Sequence, residues 1–160
     1  MLATTLADGS GLAHVNEVQL IECTCPSTCS GGVKLSLLGE QTPLISHDAL
    51  ASDLVAALES LDFVPTVEVR MAGGTTMCDA DGVTTSITFT HNPTNVPPLR
   101  IEASDATAMG LASSSSGTAV DFVLLADGDE PRGTHGFKVR TGTRIATECS
   151  SRGKCSAGVC

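Results

Sequence analysis

Tryptophan and tyrosine are absent from the chain, and four phenylalanines are its only aromatic residues. A core must therefore be closed by aliphatic, β-branched and small side chains, which suit close-packed sheets with short turns. The same absence counts against a sugar-binding face, since such sites stack sugars on aromatic rings. Basic residues are scarce as well: nine Lys and Arg are scattered among eighteen Asp and Glu, for a net charge of −9. That balance argues against nucleic acid, whose phosphates need clustered Lys and Arg. It reads instead as a solvated acidic surface. No run is long and apolar enough for a membrane span. The opening Met1-Leu-Ala-Thr-Thr-Leu-Ala-Asp has neither the basic start nor the apolar run of a signal peptide.

Catalytic signatures are missing too. There is no Gly-x-Ser-x-Gly elbow, no His-Glu-x-x-His helix and no phosphate-binding glycine loop. His47-Asp48 falls at a helix start, where Asp48 reads as a cap. His14, His91 and His135 fall in turn or strand-edge contexts, each without an adjacent nucleophile. The carboxylates form no distinguished pair. Asp79-Ala-Asp-Gly82 resembles the start of a calcium loop, but position 90 is Thr where a closing acid is required, so a hairpin turn is the better reading. The expectation is a protein without catalysis, cofactor or metal.

What is present is a helix in a β-rich chain. Leu50, Leu54, Leu58 and Leu61, widened by Val55 and Ala57, form one apolar stripe. The spacing predicts a helix over about 48–61, capped by Ser46 or Asp48 and stopped before Pro65. Strands are expected at 14–22, 33–38, 66–71, 83–90 and 99–103. Val120 to Leu125 reads as a buried strand, and 137–140 with 144–148 as a last pair. The fold class is α+β: a mainly antiparallel sheet or sandwich with one packed helix and a short disulfide-rich tail. Residues 1–13 form an arm or linker, 14–148 the α+β domain and 149–160 the tail. In the arm, Leu2, Leu6 and Leu12 stand between glycines, which suits either a disordered segment or a strand added to a neighbour. Ser113, Ser114, Ser115, Ser116 and Thr118 sit in a polar loop and are candidates for O-glycosylation. Asn92-Pro-Thr is barred from N-glycosylation by its proline.

Seven cysteines in 160 residues point to an oxidising compartment. Cys23, Cys25 and Cys29 are clustered without a second pair at zinc-finger spacing, which favours disulfides over metal. Cys25 and Cys29 are near enough to close a tight loop, and Cys23 could reach Cys78 across a sheet. Cys149 and Cys160 bracket a turn-rich segment. Cys155 is then left over, for a partner beyond the chain, although seven cysteines leave other connectivities open. A cysteine pattern of this kind without a signal suggests a piece of a longer secreted chain.

Two resemblances follow from these residues. Cys149-Ser-Ser-Arg-Gly-Lys-Cys155-Ser-Ala-Gly-Val-Cys160 resembles the middle of a tenascin-type EGF-like module. That likeness implies pairing of Cys149 with Cys160. The stretch from His14-Val-Asn-Glu-Val-Gln through Val33-Lys-Leu-Ser-Leu-Leu-Gly-Glu, the helix, Cys78 and Ile87-Thr-Phe-Thr looks like a repeat of large secreted proteins of algae and other stramenopiles. It is similar in arrangement to the SIG-type proteins of tubular flagellar hairs, the mastigonemes. The chain departs from that pattern in its crowded Cys23, Cys25 and Cys29. The resemblance implies an extracellular structural subunit that partners itself in a filament, with no membrane insertion and with glycans on Ser and Thr. The alternative is an adhesive or carbohydrate-binding module at a cell surface.

Overall fold

The computed structural model describes residues 15–26, 28–91, 95–101, 111–113, 120–133 and 135–142. Eleven strands and one helix occur among them: β1 Glu17–Thr24, β2 Cys29–Ser30, β3 Gly32–Val33, β4 Leu35–Leu37, β5 Glu40–Gln41, β6 Ile45–Ser46, α1 Ala51–Leu58, β7 Val67–Ala72, β8 Val83–Phe89, β9 Arg100–Ile101, β10 Ala112–Ser113 and β11 Asp121–Leu125. The fold is α+β. Its main element is a four-stranded antiparallel sheet in the order β11-β1-β8-β7. Three small pairings accompany it: β10 with β2, β3 with β6, and β5-β4-β9.

Register explains the two faces of the sheet. Cys23, Ile21, Gln19 and Glu17 of β1 stand opposite Val83, Thr85, Ile87 and Phe89 of β8. Val67, Val69 and Met71 of β7 continue the same row. Facing pairs in a ladder point to one side. On this side Ile21, Ile87 and Phe89 meet Leu54, Leu58, Leu61 and Val64, together with Leu35 and Met77, in the larger core. Each fully buried side chain of this size contributes roughly 1.5–3 kcal/mol. The other side carries Val18, Leu20 and Leu125, against which Val123, Phe137 and Val139 pack. β1 is thus buried on both faces, although its sequence reads as alternating.

The helix spans Ala51–Leu58, shorter at both ends than the apolar stripe. At its start, Asp53 Oδ2 accepts from the Leu50 N–H at 2.9 Å. Ser46 instead donates to Asp48, so neither of the expected caps closes the first turn. Leu50 remains 49% exposed, and the buried stripe begins at Leu54. Beyond Leu58 the chain tightens into turns, with Leu61 N–H to Leu58 O at 3.1 Å and Val64 N–H to Leu61 O at 3.0 Å. These keep Leu61 and Val64 in the core while ending the helix ahead of Pro65.

Three further expectations are corrected. The stretch 33–38 is not one strand beside the helix but two short strands in separate small sheets. Leu38 and Gly39 take positive φ, 52° and 89°, and fold β4 back on β5. β11 is an edge strand, of which only Leu125 is fully buried. Of the expected last pair, residues 136–139 form no strand and Arg140 contributes a single bridge to Val18, while 144–148 lie outside the described residues.

Candidate functional site

Two disulfides tie down the end of β1 and the segment that follows it. Cys23 at the end of β1 is joined to Cys78, with 4.9 Å between Cα atoms. Both residues are buried in the larger core. Cys25 is joined to Cys29, with 6.1 Å between Cα atoms. Cys25 is fully buried, whereas Cys29 is half-buried at the start of β2, and Pro26 and Thr28 between them are exposed. All three cysteines of the cluster are therefore in disulfides. Among the described residues no group of three or more His, Cys, Asp or Glu is placed to hold a metal ion. Cys149, Cys155 and Cys160 lie outside the described residues, as do Leu2, Leu6 and Leu12 of the arm and Ser114, Ser115, Ser116 and Thr118. The backbone of Ser113 pairs with Cys29 in the β10–β2 ladder.

The outer edges of the main sheet are the second feature. In an antiparallel ladder alternate residues bond to one neighbour and then the other. Thr90 N–H donates to Thr66 O, which puts Thr66, Glu68, Arg70 and Ala72 in the bonded pairs with β8 and turns the backbone groups of Val67, Val69 and Met71 outward. The Val67 N–H is covered by Glu59 Oε1 at 3.0 Å. Those of Val69 and Met71 meet no strand among the described residues. On the opposite edge, Val18 and Arg140 exchange backbone bonds on the β11 side of β1. Alternation then turns the backbone groups of Phe122 and Leu124 of β11 outward, while their side chains pack against the larger core, again without a further strand among the described residues. Neither edge strand contains a proline.

The third feature is a polar cleft of about 230 Å³ at the Cys23 end of the sheet. It is lined by Glu22 and Thr24 of β1, Thr84 of β8 and Asp121 of β11, together with Asp81, Arg132, Gly133 and His135. Arg132 donates from Nε to Glu22 at 3.3 Å and from Nη2 to Asp121 at 3.1 Å. The Gly133 N–H donates to Glu22 Oε1 at 2.8 Å. That approach needs a glycine: a Cβ on residue 133 would fall 2.8 Å from Thr84 Oγ1. The bond to Asp121, with Glu22 behind it, holds the Arg132 guanidinium still more firmly protonated than usual. The imidazole of His135 lies against Gly73, where a Cβ would come within 2.8 Å of Cε1. The cleft offers carboxylates, hydroxyls, a guanidinium and an imidazole to a polar molecule. Sequence reasoning missed it. The available signals were Glu22 inside an apolar run and the single Arg of Asp127-Gly-Asp-Glu-Pro-Arg-Gly133.

Two buried polar residues tie distant loops to β1. Gln19 Nε2 donates to Val96 O at 3.2 Å and Pro97 O at 3.0 Å, and Gln19 Oε1 accepts from the Leu99 N–H at 2.8 Å. Glu17 Oε2 accepts from the Gly142 N–H. Burial pushes the Glu17 carboxyl above its ordinary range, against the lowering effect of that hydrogen bond. A separate groove of about 490 Å³ runs along the start of α1 between Leu44, Leu50 and Ala57, with Asp48 and Asp53 at its rim. Among the described residues no helix is long and apolar enough to cross a membrane.

Comparison with protein-family models, with curated proteins and with solved structures finds no match to this chain.

Proposed function

We propose that the chain is a structural subunit of an extracellular filament or flagellar hair, assembling with copies of itself by strand pairing at the sheet edges and held by disulfides. The observation that carries this reading is the pair of regular, proline-free outer strands, β7 and β11, with outward backbone groups at Val69, Met71, Phe122 and Leu124. An edge of this kind is a template for another chain unless it is blocked. The incoming strand is supplied by residues 1–13, whose Leu2, Leu6 and Leu12 give it apolar side chains. The two disulfides support an oxidising compartment. Ser113 to Ser116 and Thr118 are offered as glycan positions on the basis of their hydroxyl-rich sequence.

Proline at an outward-facing position of an edge strand removes a donor needed only by the incoming chain. Val69→Pro and Phe122→Pro are therefore expected to stop polymer growth in sedimentation while circular dichroism still reports a folded monomer, at some cost in stability because both side chains pack against the larger core. Deletion of residues 1–13 is expected to do the same. Polymer growth unchanged in all three variants overturns the reading.

The polar cleft favours a second reading, a cell-surface module that binds a carbohydrate or other polar ligand without aromatic stacking. Selective binding of the monomer on a glycan array, lost in Arg132→Ala, supports it. No binding above background removes it.

A further inference from the structure

The two disulfides differ in access. Cys23 and Cys78 are 1% and 5% exposed and sit among Ile21, Met77 and the rest of the larger core. Reaching either sulfur requires opening that core. Cys25 is equally inaccessible, at 0%. Cys29 is not: it is half-buried, follows the exposed Thr28, and belongs to a two-residue strand whose described ladder is a short pairing with Ala112 and Ser113. Opening at Cys29 disturbs a turn and two ladder positions, and such local openings cost far less than global ones.

We propose that the Cys25–Cys29 disulfide is an exchange site, at which a thiolate from outside the fold attacks Cys29 Sγ. Cys25 is fully buried, so attack falls on Cys29, the partly exposed end of the bond, although Cys29 also packs against the edge of the larger core. The incoming sulfur bonds to Cys29 Sγ, and the Cys25–Cys29 bond breaks. Its electron pair leaves on Cys25 Sγ, which takes a proton from water. One disulfide replaces another, so the step needs no oxidant. Cys25 then remains in the core as a neutral thiol, a role that buried cysteine fills as a small apolar residue.

A thiolate can come from a small molecule or from a second copy of the chain. The assembly proposed above favours the second copy. Four cysteines are joined in the two disulfides, and Cys149, Cys155 and Cys160 take no part in them. In that assembly a sulfur of one of these three attacks Cys29 of a neighbour and turns a non-covalent contact into a covalent link. This choice of source rests on the assembly reading, whereas the reactivity of Cys29 does not.

The test has two arms on the oxidised full chain. In the first, reduced glutathione is added at pH 8, the reaction is quenched with iodoacetamide, and disulfides are mapped by mass spectrometry. Glutathione is expected on Cys29, with loss of the Cys25–Cys29 bond at least about tenfold faster than loss of Cys23–Cys78. Equal rates, or attachment elsewhere, overturn the exchange site. In the second arm, oxidised chains are concentrated without glutathione and run on a non-reducing gel. A dimer whose cross-linked peptide joins Cys29 to Cys149, Cys155 or Cys160, and which is absent in Cys29→Ala, identifies the second copy as the source. Glutathione exchange without such a dimer overturns the second copy alone and assigns the site to small thiols. The edge-strand variants report on assembly independently of either arm.

Discussion

Replacing Cys23 and Cys78 by alanine tests how the long-range disulfide supports the sheet. The bond closes a loop with a sequence separation of 55 residues between the end of β1 and the segment ahead of β8. In the chain-entropy description, closing a loop of that length in the unfolded chain stabilises the fold by about 4 kcal/mol, whereas a four-residue separation gives about 2 kcal/mol. Both cysteines of the longer loop are buried, so truncation to alanine also leaves small voids in the core. Cys23→Ala/Cys78→Ala is therefore expected to lose about 4 kcal/mol or more, a large share of the 5–15 kcal/mol of an ordinary domain. Cys25→Ala/Cys29→Ala is expected to lose about half as much. The assay is urea denaturation at neutral pH, followed by far-UV circular dichroism, with both double variants beside the parent chain. A Cys23/Cys78 variant that is unfolded without urea agrees with the reasoning. It is refuted if that variant loses no more stability than the Cys25/Cys29 variant.

Two other substitutions probe local features. Glu17 is buried and its carboxyl is raised above its ordinary range, so the folded state holds that proton more tightly than the unfolded chain. Stability from this group is highest in acid and falls as pH rises through the raised value, so Glu17→Gln should raise the melting temperature at pH 7 relative to the parent and bring the two curves together near pH 4. Unchanged separation between pH 4 and 8 would exclude that burial cost. At Gly32, an added Cβ would stand 2.1 Å from Ile45 O across the β3–β6 pair. Gly32→Ala is expected to cost about 1–3 kcal/mol by forcing that ladder apart, and urea midpoints indistinguishable from the parent would refute the close approach.

Periodicity carried the parts of the fold that depend on near neighbours. The leucine stripe locates α1, and the alternation of Val83, Ile87 and Phe89 locates β8. Its limits lie where one residue's environment is made by residues far along the chain. Glu17 and Gln19 look like solvent positions of β1, yet they are buried because Gly142 and the 96–99 loop supply their hydrogen bonds. Val120 to Leu125 has the density of a central strand, but it lies at an edge, since apolar content does not reveal sheet order. By sequence His135 reads as a turn or strand-edge residue. Its place beside Glu22, Asp121 and Arg132 depends on the pairing of β1 with β11, which local sequence does not encode.

The most direct test of a disulfide-held structural polymer is electron microscopy of native material under non-reducing conditions, repeated after adding reductant. Regular filaments that loosen on reduction are the expected result. A monodisperse monomer in both conditions would contradict it and shift the function to the polar cleft.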